Sequence, residues 1–212
     1  MAKARPAALT ALLSGAAVVG YVSYRLFVGV GPEVPETIQL GEDPAATADA
    51  QAPPQLAERL PDFSLDNLAG AQQSITSWPG KPLLINFWAT WCGPCLREIP
   101  ILKELQTSRP DVQVVGIAVD RRDPVVGFAV NMQFNYPILI GESAGWDAAA
   151  AFGVNVYALP FTVFTAADGS VLGVHTGELH PEHIENLTAV LDDLKSGKID
   201  LATARARIAG RI

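Results

Sequence analysis

Cysteine is scarce in this chain of 212 residues, which contains only Cys92 and Cys95. A framework of structural disulfides is therefore excluded, and a structural zinc site would need two further ligands besides this pair. Charge is also sparse, at 17% of residues, with a net charge of −7. Because no basic patch is present, we expect no nucleic-acid partner. The sequence predicts neither a bound metal nor an organic cofactor.

One stretch organises the chain: residues 83–100 have the sequence LLINFWATWCGPCLREIP. Its first five residues form an apolar run of strand length, which is typical of a buried central strand. After Cys95, apolar residues recur at helical spacing. The dithiol is therefore expected where a buried strand is followed by a helix N-terminus, whose backbone N–H groups and dipole favour a thiolate. Cys95 lies one turn after Cys92 and can close a disulfide with it.

The segment from Phe87 to Cys95 resembles the active-site segment of the thioredoxin superfamily. Asn86, Thr90 and Glu98 make it more similar to the TlpA/ResA/CcmG (DsbE) branch than to cytosolic thioredoxin. That branch comprises membrane-anchored, extracytoplasmic thiol-disulfide oxidoreductases. The resemblance implies an α/β thioredoxin fold, in which helices flank a central mixed β-sheet.

The pattern within the folded domain is consistent with this fold. It predicts strands near 62–65, 83–87, 113–119, 136–140, 161–165 and 171–176, and helices near 95–108, 123–133, 146–152 and 181–195. A strand, a helix and a further strand imply a right-handed parallel crossover. Ala167-Asp168-Gly169 predicts a hairpin between the last two strands. Residues 123–152 resemble the insertion that the TlpA branch carries.

The N-terminal segment is predicted to be a membrane anchor, residues 1–30. Residues 7–24 carry no charge, and residues 7–30 are long enough to span the lipid bilayer if Arg25 reaches the far interface. Lys3 and Arg5 precede the span and acidic residues follow it, which places the N-terminus in the cytoplasm. We therefore expect a single-pass protein of the cytoplasmic (inner) membrane with its domain on the periplasmic side. A cleaved signal peptide is the alternative.

Three further segments follow the anchor. Residues 31–58 are rich in Pro, Ala, Glu, Asp and Gln, which predicts an extended, mobile tether. Residues 59–196 form the predicted thioredoxin-like domain. Residues 197–212 contain three arginines and are predicted to form a solvated helical tail.

The segment before the predicted strand 161–165 resembles the cis-proline loop of thioredoxin-like proteins. Residues 156–162, VYALPFT, resemble the CcmG pattern V-Y-G-A-P-x-T and depart from it at Ala158 and Leu159. A cis bond before Pro160 would leave the backbone of Leu159 on an open edge, where a substrate peptide can pair as an added strand. Trp91 is predicted to flank the dithiol as a docking surface.

Glu98 follows Cys95 by one helical turn, and the resemblance implies that it handles protons at the dithiol. A carboxylate near two thiols would disfavour a second negative charge and could accept a proton. Asn86 occupies the position of a buried aspartate in thioredoxin, and an amide cannot act as a base. Glu98 is therefore the replacement candidate, and the alternative is a solvated helix residue.

The favoured function is dithiol–disulfide exchange outside the cytoplasmic membrane, mainly in the reducing direction. Cys92 would attack the substrate disulfide and Cys95 would resolve the mixed disulfide. Gly93-Pro94 is the dipeptide of reducing thioredoxins. The resemblance implies a membrane reductant of the DsbD/CcdA type and protein substrates from cytochrome c or copper-centre maturation. An oxidase or isomerase, a Cu(I)-binding chaperone and a tethered adaptor with an idle dithiol remain alternatives.

Overall fold

The structure is a computed structural model that describes residues 55–155 and 158–211. The predicted anchor and the tether up to residue 54 lie outside the described residues. Among the residues that are described, no helix combines the length and apolar character needed to cross a membrane.

The described part of the chain contains seven strands and five helices. The strands are β1 (Ser64–Asn67), β2 (Gln72–Ser74), β3 (Leu83–Trp88), β4 (Gln113–Ala118), β5 (Ile138–Ile140), β6 (Phe161–Thr165) and β7 (Val171–Thr176). The helices are α1 (Gly93–Ser108), α2 (Arg122–Met132), α3 (Ser143–Ala151), α4 (Pro181–Lys195) and α5 (Leu201–Arg211).

The strands form one mixed sheet in the order β2-β1-β5-β4-β3-β6-β7. β4 pairs in parallel with both β3 and β5, and every other pairing is antiparallel. Every residue of β3 and β4 is buried, because helices cover both faces of the central strands. This is the mixed sheet with flanking helices that the sequence predicts.

Successive residues of β3 contribute to two separate hydrophobic clusters, because side chains alternate across a sheet. Leu84 and Trp88 pack in the cluster that contains Ile99 of α1. Ile85 and Phe87 pack in the opposite cluster. Packing on both faces therefore holds β3 in place. The segment that follows Trp88 and leads to the dithiol starts from this fixed strand end.

Several sequence-based predictions differ in detail from the structure. Residues 55–58, predicted as tether, belong to the folded domain: the Ala57 N–H donates to Phe152 O at 2.8 Å, and the Val171 N–H donates to Glu58 O at 2.9 Å. β2 was not predicted. α2 begins at Arg122, one residue before the predicted start, so Asp123 lies in its first turn, where a carboxylate interacts favourably with the helix dipole.

The C-terminal segment is helical, as predicted, but it is packed on the domain and is not a solvated tail. Residues 201–211 form α5, in which Ala204 and Ile208 are fully buried. Leu201, Ala204 and Ile208 recur at helical spacing and give the helix an apolar stripe that packs on the domain. Arg205 adds a hydrogen bond from Nε to the Val171 carbonyl at 2.8 Å.

Candidate active site

The two cysteines lie where β3 passes into α1, as the sequence predicts. They are joined in a disulfide with a Cα–Cα distance of 5.3 Å. Cys92 is the N-cap residue of α1, and its Sγ accepts a hydrogen bond from the Cys95 N–H at 3.3 Å. Cys92 is 5% exposed and Cys95 is fully buried. Cys92 is therefore the sulfur closer to solvent, and it receives the stabilising influence of the helix N-terminus.

The turn between β3 and the dithiol is held by a residue that the sequence analysis missed. Asp120 follows β4, and its Oδ2 accepts hydrogen bonds from the Thr90 N–H at 3.0 Å and the Thr90 hydroxyl at 2.5 Å. Since β3 and β4 are parallel and adjacent, their carboxyl ends lie at the same edge of the sheet. A polar residue directly after the neighbouring strand was the available sequence signal.

Glu98 is buried, which rules out the alternative of a solvated helix residue. The Asn86 side-chain amide donates to Glu98 Oε1 at 2.7 Å, and the Leu179 N–H donates to Oε2 at 2.7 Å. The same Asn86 nitrogen also donates to the Thr162 hydroxyl at 3.0 Å. Asn86 therefore orients the carboxylate, and the groups that hydrogen-bond Glu98 are neutral.

Burial raises the pKa of Glu98 to about 7, against an ordinary value of 4.5. The hydrogen bonds from Leu179 and Asn86 act in the opposite direction, because they favour the ionised form, while the nearby charge of Glu178 raises the pKa further. Burial also raises the pKa of Tyr136, with a smaller contribution from the charge of Glu98. Glu98 can therefore both hold and release a proton near neutral pH.

The segment before β6 reaches the same edge of the sheet as the dithiol. The Leu159–Pro160 peptide bond is cis, which confirms the prediction. The next residue, Phe161, pairs with Phe87 near the end of β3. Pro160 is buried and Leu159 is half-buried. The structure therefore brings the predicted substrate-binding segment to the strand that leads to the dithiol.

Trp91 is 69% exposed and directly precedes Cys92. Its neighbours in the motif, Phe87 and Trp88, are buried in the core. A large apolar side chain in solvent beside the dithiol is suited to contact with another molecule. Within residues 55–155 and 158–211, no group of three or more His, Cys, Asp or Glu has the geometry to hold a metal ion.

A helix-capping dithiol on this mixed sheet defines a thiol-disulfide oxidoreductase with the thioredoxin fold. The Redoxin family model matches residues 55–191, and the chain belongs to that family. Among its relatives, the thioredoxin-like protein YneN of Bacillus subtilis is 34% identical over 136 residues, which cover 62% of this chain and 77% of YneN. The thiol-disulfide oxidoreductase ResA of Geobacillus thermodenitrificans is 34% identical over 128 residues, or 59% of this chain and 71% of ResA.

Solved structures agree with this assignment. A thiol:disulfide interchange protein of the thioredoxin family from Chlorobium tepidum is 30% identical, with a TM-score of 0.51, and the match covers 61% of this chain and 90% of that one. A secreted thiol-disulfide isomerase from Corynebacterium glutamicum has a TM-score of 0.53 at 24% identity, covering 65% and 90%, and shows the shared fold. The chain is thus a ResA/CcmG-like member of the thioredoxin superfamily.

Proposed function

We propose that the protein reduces disulfides of protein substrates on the outer side of the cytoplasmic membrane, with Cys92 as the attacking thiol and Cys95 as the resolving thiol. The observation that carries this proposal is the asymmetry of the dithiol. Cys92 caps the helix and is the more exposed sulfur, whereas Cys95 is buried one turn before the buried acid Glu98.

In the first step the Cys92 thiolate attacks one sulfur of the substrate disulfide. A mixed disulfide forms, the substrate S–S bond breaks, and the released substrate thiolate takes a proton. In the second step Cys95 attacks the Cys92 sulfur, and the second substrate thiolate leaves. The substrate has then gained two electrons, and Cys92–Cys95 is oxidised.

Glu98 is the proposed acceptor of the Cys95 proton in the second step. Residues three apart on a helix lie on the same face, so Cys95 and Glu98 are neighbours. A pKa of about 7 matches a group that exchanges protons near neutral pH. The substrate peptide would pair with the backbone at Leu159 and Pro160 and contact the exposed Trp91.

Each turnover uses two electrons, so a membrane reductant of the DsbD/CcdA type would restore the dithiol. The dipeptide Gly93-Pro94 supports the reducing direction. Protein substrates in cytochrome c or copper-centre maturation remain the proposed targets. The uncharged segment of residues 7–24 supports the anchored location, with lipid contacts along residues 7–30.

Glu98→Gln tests the proton step, because the amide keeps the shape of the side chain and removes the base. We expect resolution of the mixed disulfide to slow by on the order of 10²-fold, measured in a single turnover. Glu104→Gln is the matched control, since Glu104 is exposed on the same helix. Equal rates in both variants would contradict the role of Glu98.

The disulfide-exchange role and the location need separate experiments. A Cys95→Ser variant should accumulate mixed disulfides with its protein substrates in cells, and tight Cu(I) binding without reductase turnover would instead favour the chaperone.

A reporter fused after residue 31 should be active only if it is one that folds outside the cytoplasm. Activity of a cytoplasmic reporter at that junction would contradict the proposed topology.

A further inference from the structure

The loop between β7 and α4 contacts three different parts of the dithiol site through three consecutive residues. The contacts are the Gly177 N–H to Pro160 O at 2.9 Å, the Glu178 carboxylate to the Arg97 guanidinium, and the Leu179 N–H to Glu98 Oε2 at 2.7 Å. One short segment thus joins the cis-proline loop, the surface of α1 and the buried acid.

Arg97 and Glu98 are neighbours on α1, and they contact Glu178 and Leu179, which are neighbours on the loop. The Nε atom of Arg97 lies 3.0 Å from each carboxylate oxygen of Glu178, and a second guanidinium nitrogen adds a further hydrogen bond. Such a bidentate contact fixes direction as well as distance. The loop is therefore anchored one residue away from the N–H that contacts Glu98.

We propose that Arg97 and Glu178 are positioning residues whose ion pair holds the Leu179 N–H on Glu98 and thereby sets how strongly Glu98 holds a proton. This inference rests on the proposed function of Glu98 as the acceptor of the Cys95 proton. Arg97 lies on the exposed surface of α1 and acts through the loop, not on the reacting sulfurs.

Glu178 has two opposing effects on Glu98, and this opposition allows a decisive test. Its negative charge disfavours ionisation of Glu98 and so raises the pKa of Glu98. Its contact with Arg97 keeps the Leu179 N–H in place, which favours ionisation and lowers that pKa. The other titratable groups around the loop and the acid are Tyr136 before β5, His175 on β7, and His180 and His183 at the start of α4.

The experiment measures the pKa of Glu98 in the full-length oxidised protein in detergent micelles, from the ¹³C shift of its carboxyl carbon. The signal is assigned by its loss in Glu98→Gln. In Arg97→Gln the pKa should rise by about one pH unit, because the loop is released and the charge of Glu178 is left without its partner.

Glu178→Ala separates the positioning of the Leu179 N–H from the direct effect of the Glu178 charge on Glu98. If the ion pair positions Leu179, the pKa of Glu98 should rise in this variant although a negative charge has been removed. A fall, or no change, would overturn the proposal. The reversed pair, Arg97→Glu with Glu178→Arg, should bring the pKa of Glu98 back to the original value or below it, because the loop is held again and the charge at position 178 is now positive. A pKa that stays as high as in Glu178→Ala would also count against positioning.

The pH profile of mixed-disulfide resolution gives the second readout. Its midpoint should move upward with the pKa of Glu98 in Arg97→Gln and Glu178→Ala. Arg207→Gln breaks a half-buried ion pair with Asp193, between α5 and α4, and should leave the profile unchanged. If Glu98→Gln resolves the mixed disulfide at the original rate, the proposed function of Glu98 fails, while the titration of Glu98 still tests the loop independently.

Discussion

A carboxyl group lies at each end of the central sheet, and the two environments shift its pKa in opposite directions. At the dithiol end, Glu98 is buried and hydrogen-bonded by neutral groups, and burial raises the pKa of its carboxyl to about 7. At the other end, Asp111 precedes β4 and accepts hydrogen bonds from Arg109 at 2.9 and 3.0 Å. Those hydrogen bonds lower the pKa of Asp111 to about 2.

This difference separates a carboxylate whose charge is fixed from one whose charge can change. Asp111 stays ionised at every physiological pH, so its ion pair can support the structure but cannot exchange a proton. Glu98 gains or loses a proton near neutral pH, which suits proton exchange but makes its ionised form costly in the folded state. If chemistry and structural support are divided between the two ends, substitutions at one end should affect exchange and substitutions at the other should affect stability.

The largest effect is expected from the dithiol itself. Cys92→Ser should reduce disulfide exchange to the uncatalysed background, because no thiolate remains to attack the substrate. Turnover of a fluorescent disulfide peptide measures this loss. Cys95→Ser is the matched control and should still form a mixed disulfide that persists. Trapping by Cys92→Ser instead of Cys95→Ser would reverse the assigned roles.

A core substitution at the opposite end should affect stability without affecting chemistry. Ile208 of α5 is fully buried, and Ile208→Ala should lower the free energy of unfolding by about 2–5 kcal/mol through lost burial and the cavity left behind. Urea unfolding measures the change, and exchange per folded molecule should stay the same. Ala206→Ser, at an exposed position of α5, should cost less than about 0.5 kcal/mol. A similar loss in both variants would mean that α5 does not pack as described.

The sequence predicts best those elements that carry their own local pattern. β6, β7 and α4 have the predicted bounds, because apolar spacing, the Ala167-Asp168-Gly169 turn and the first-turn proline Pro181 all agree. The dithiol position follows from the same kind of local information. β2 lacked such a pattern, since its three residues, QQS, form a strand only by pairing with β1.

Two other features depend on distant parts of the chain. The stripe on α5 is short and includes the small residue Ala204, so its burial is decided by packing against α4 and β7. The environment of Glu98 depends on the backbone N–H of Leu179, which is 81 residues away in sequence. A backbone donor carries no side-chain information, so the motif can name the acid but not its partner.

Ionisation of Glu98 should make stability depend on pH. The pKa is higher in the folded protein than the ordinary 4.5. The contribution of Glu98 to the free energy of unfolding is therefore fully present below about pH 4.5 and is lost as the pH rises through about 7. The loss is about 3 kcal/mol, since one pH unit corresponds to about 1.4 kcal/mol.

Urea unfolding of the oxidised protein from about pH 4 to pH 8 measures this dependence. Glu98→Gln should remove it, because the amide does not titrate. Glu104→Gln should keep it. A pH dependence that survives in Glu98→Gln would place its origin in another group.

The smallest effect is expected at Asp111, and its sign is opposite. Its lowered pKa contributes stability that is present above about pH 3.8 and is lost as the pH falls through about 2. The side chain is 40% exposed, so solvent screening limits the contribution to at most about 1 kcal/mol. Asp111→Asn should therefore lower the free energy of unfolding slightly at neutral pH and leave mixed-disulfide resolution unchanged. Asp147→Asn, an exposed change in the interior of α3, is the control for stability. If Asp111→Asn slowed resolution as Glu98→Gln is expected to do, proton handling would not be confined to the dithiol end.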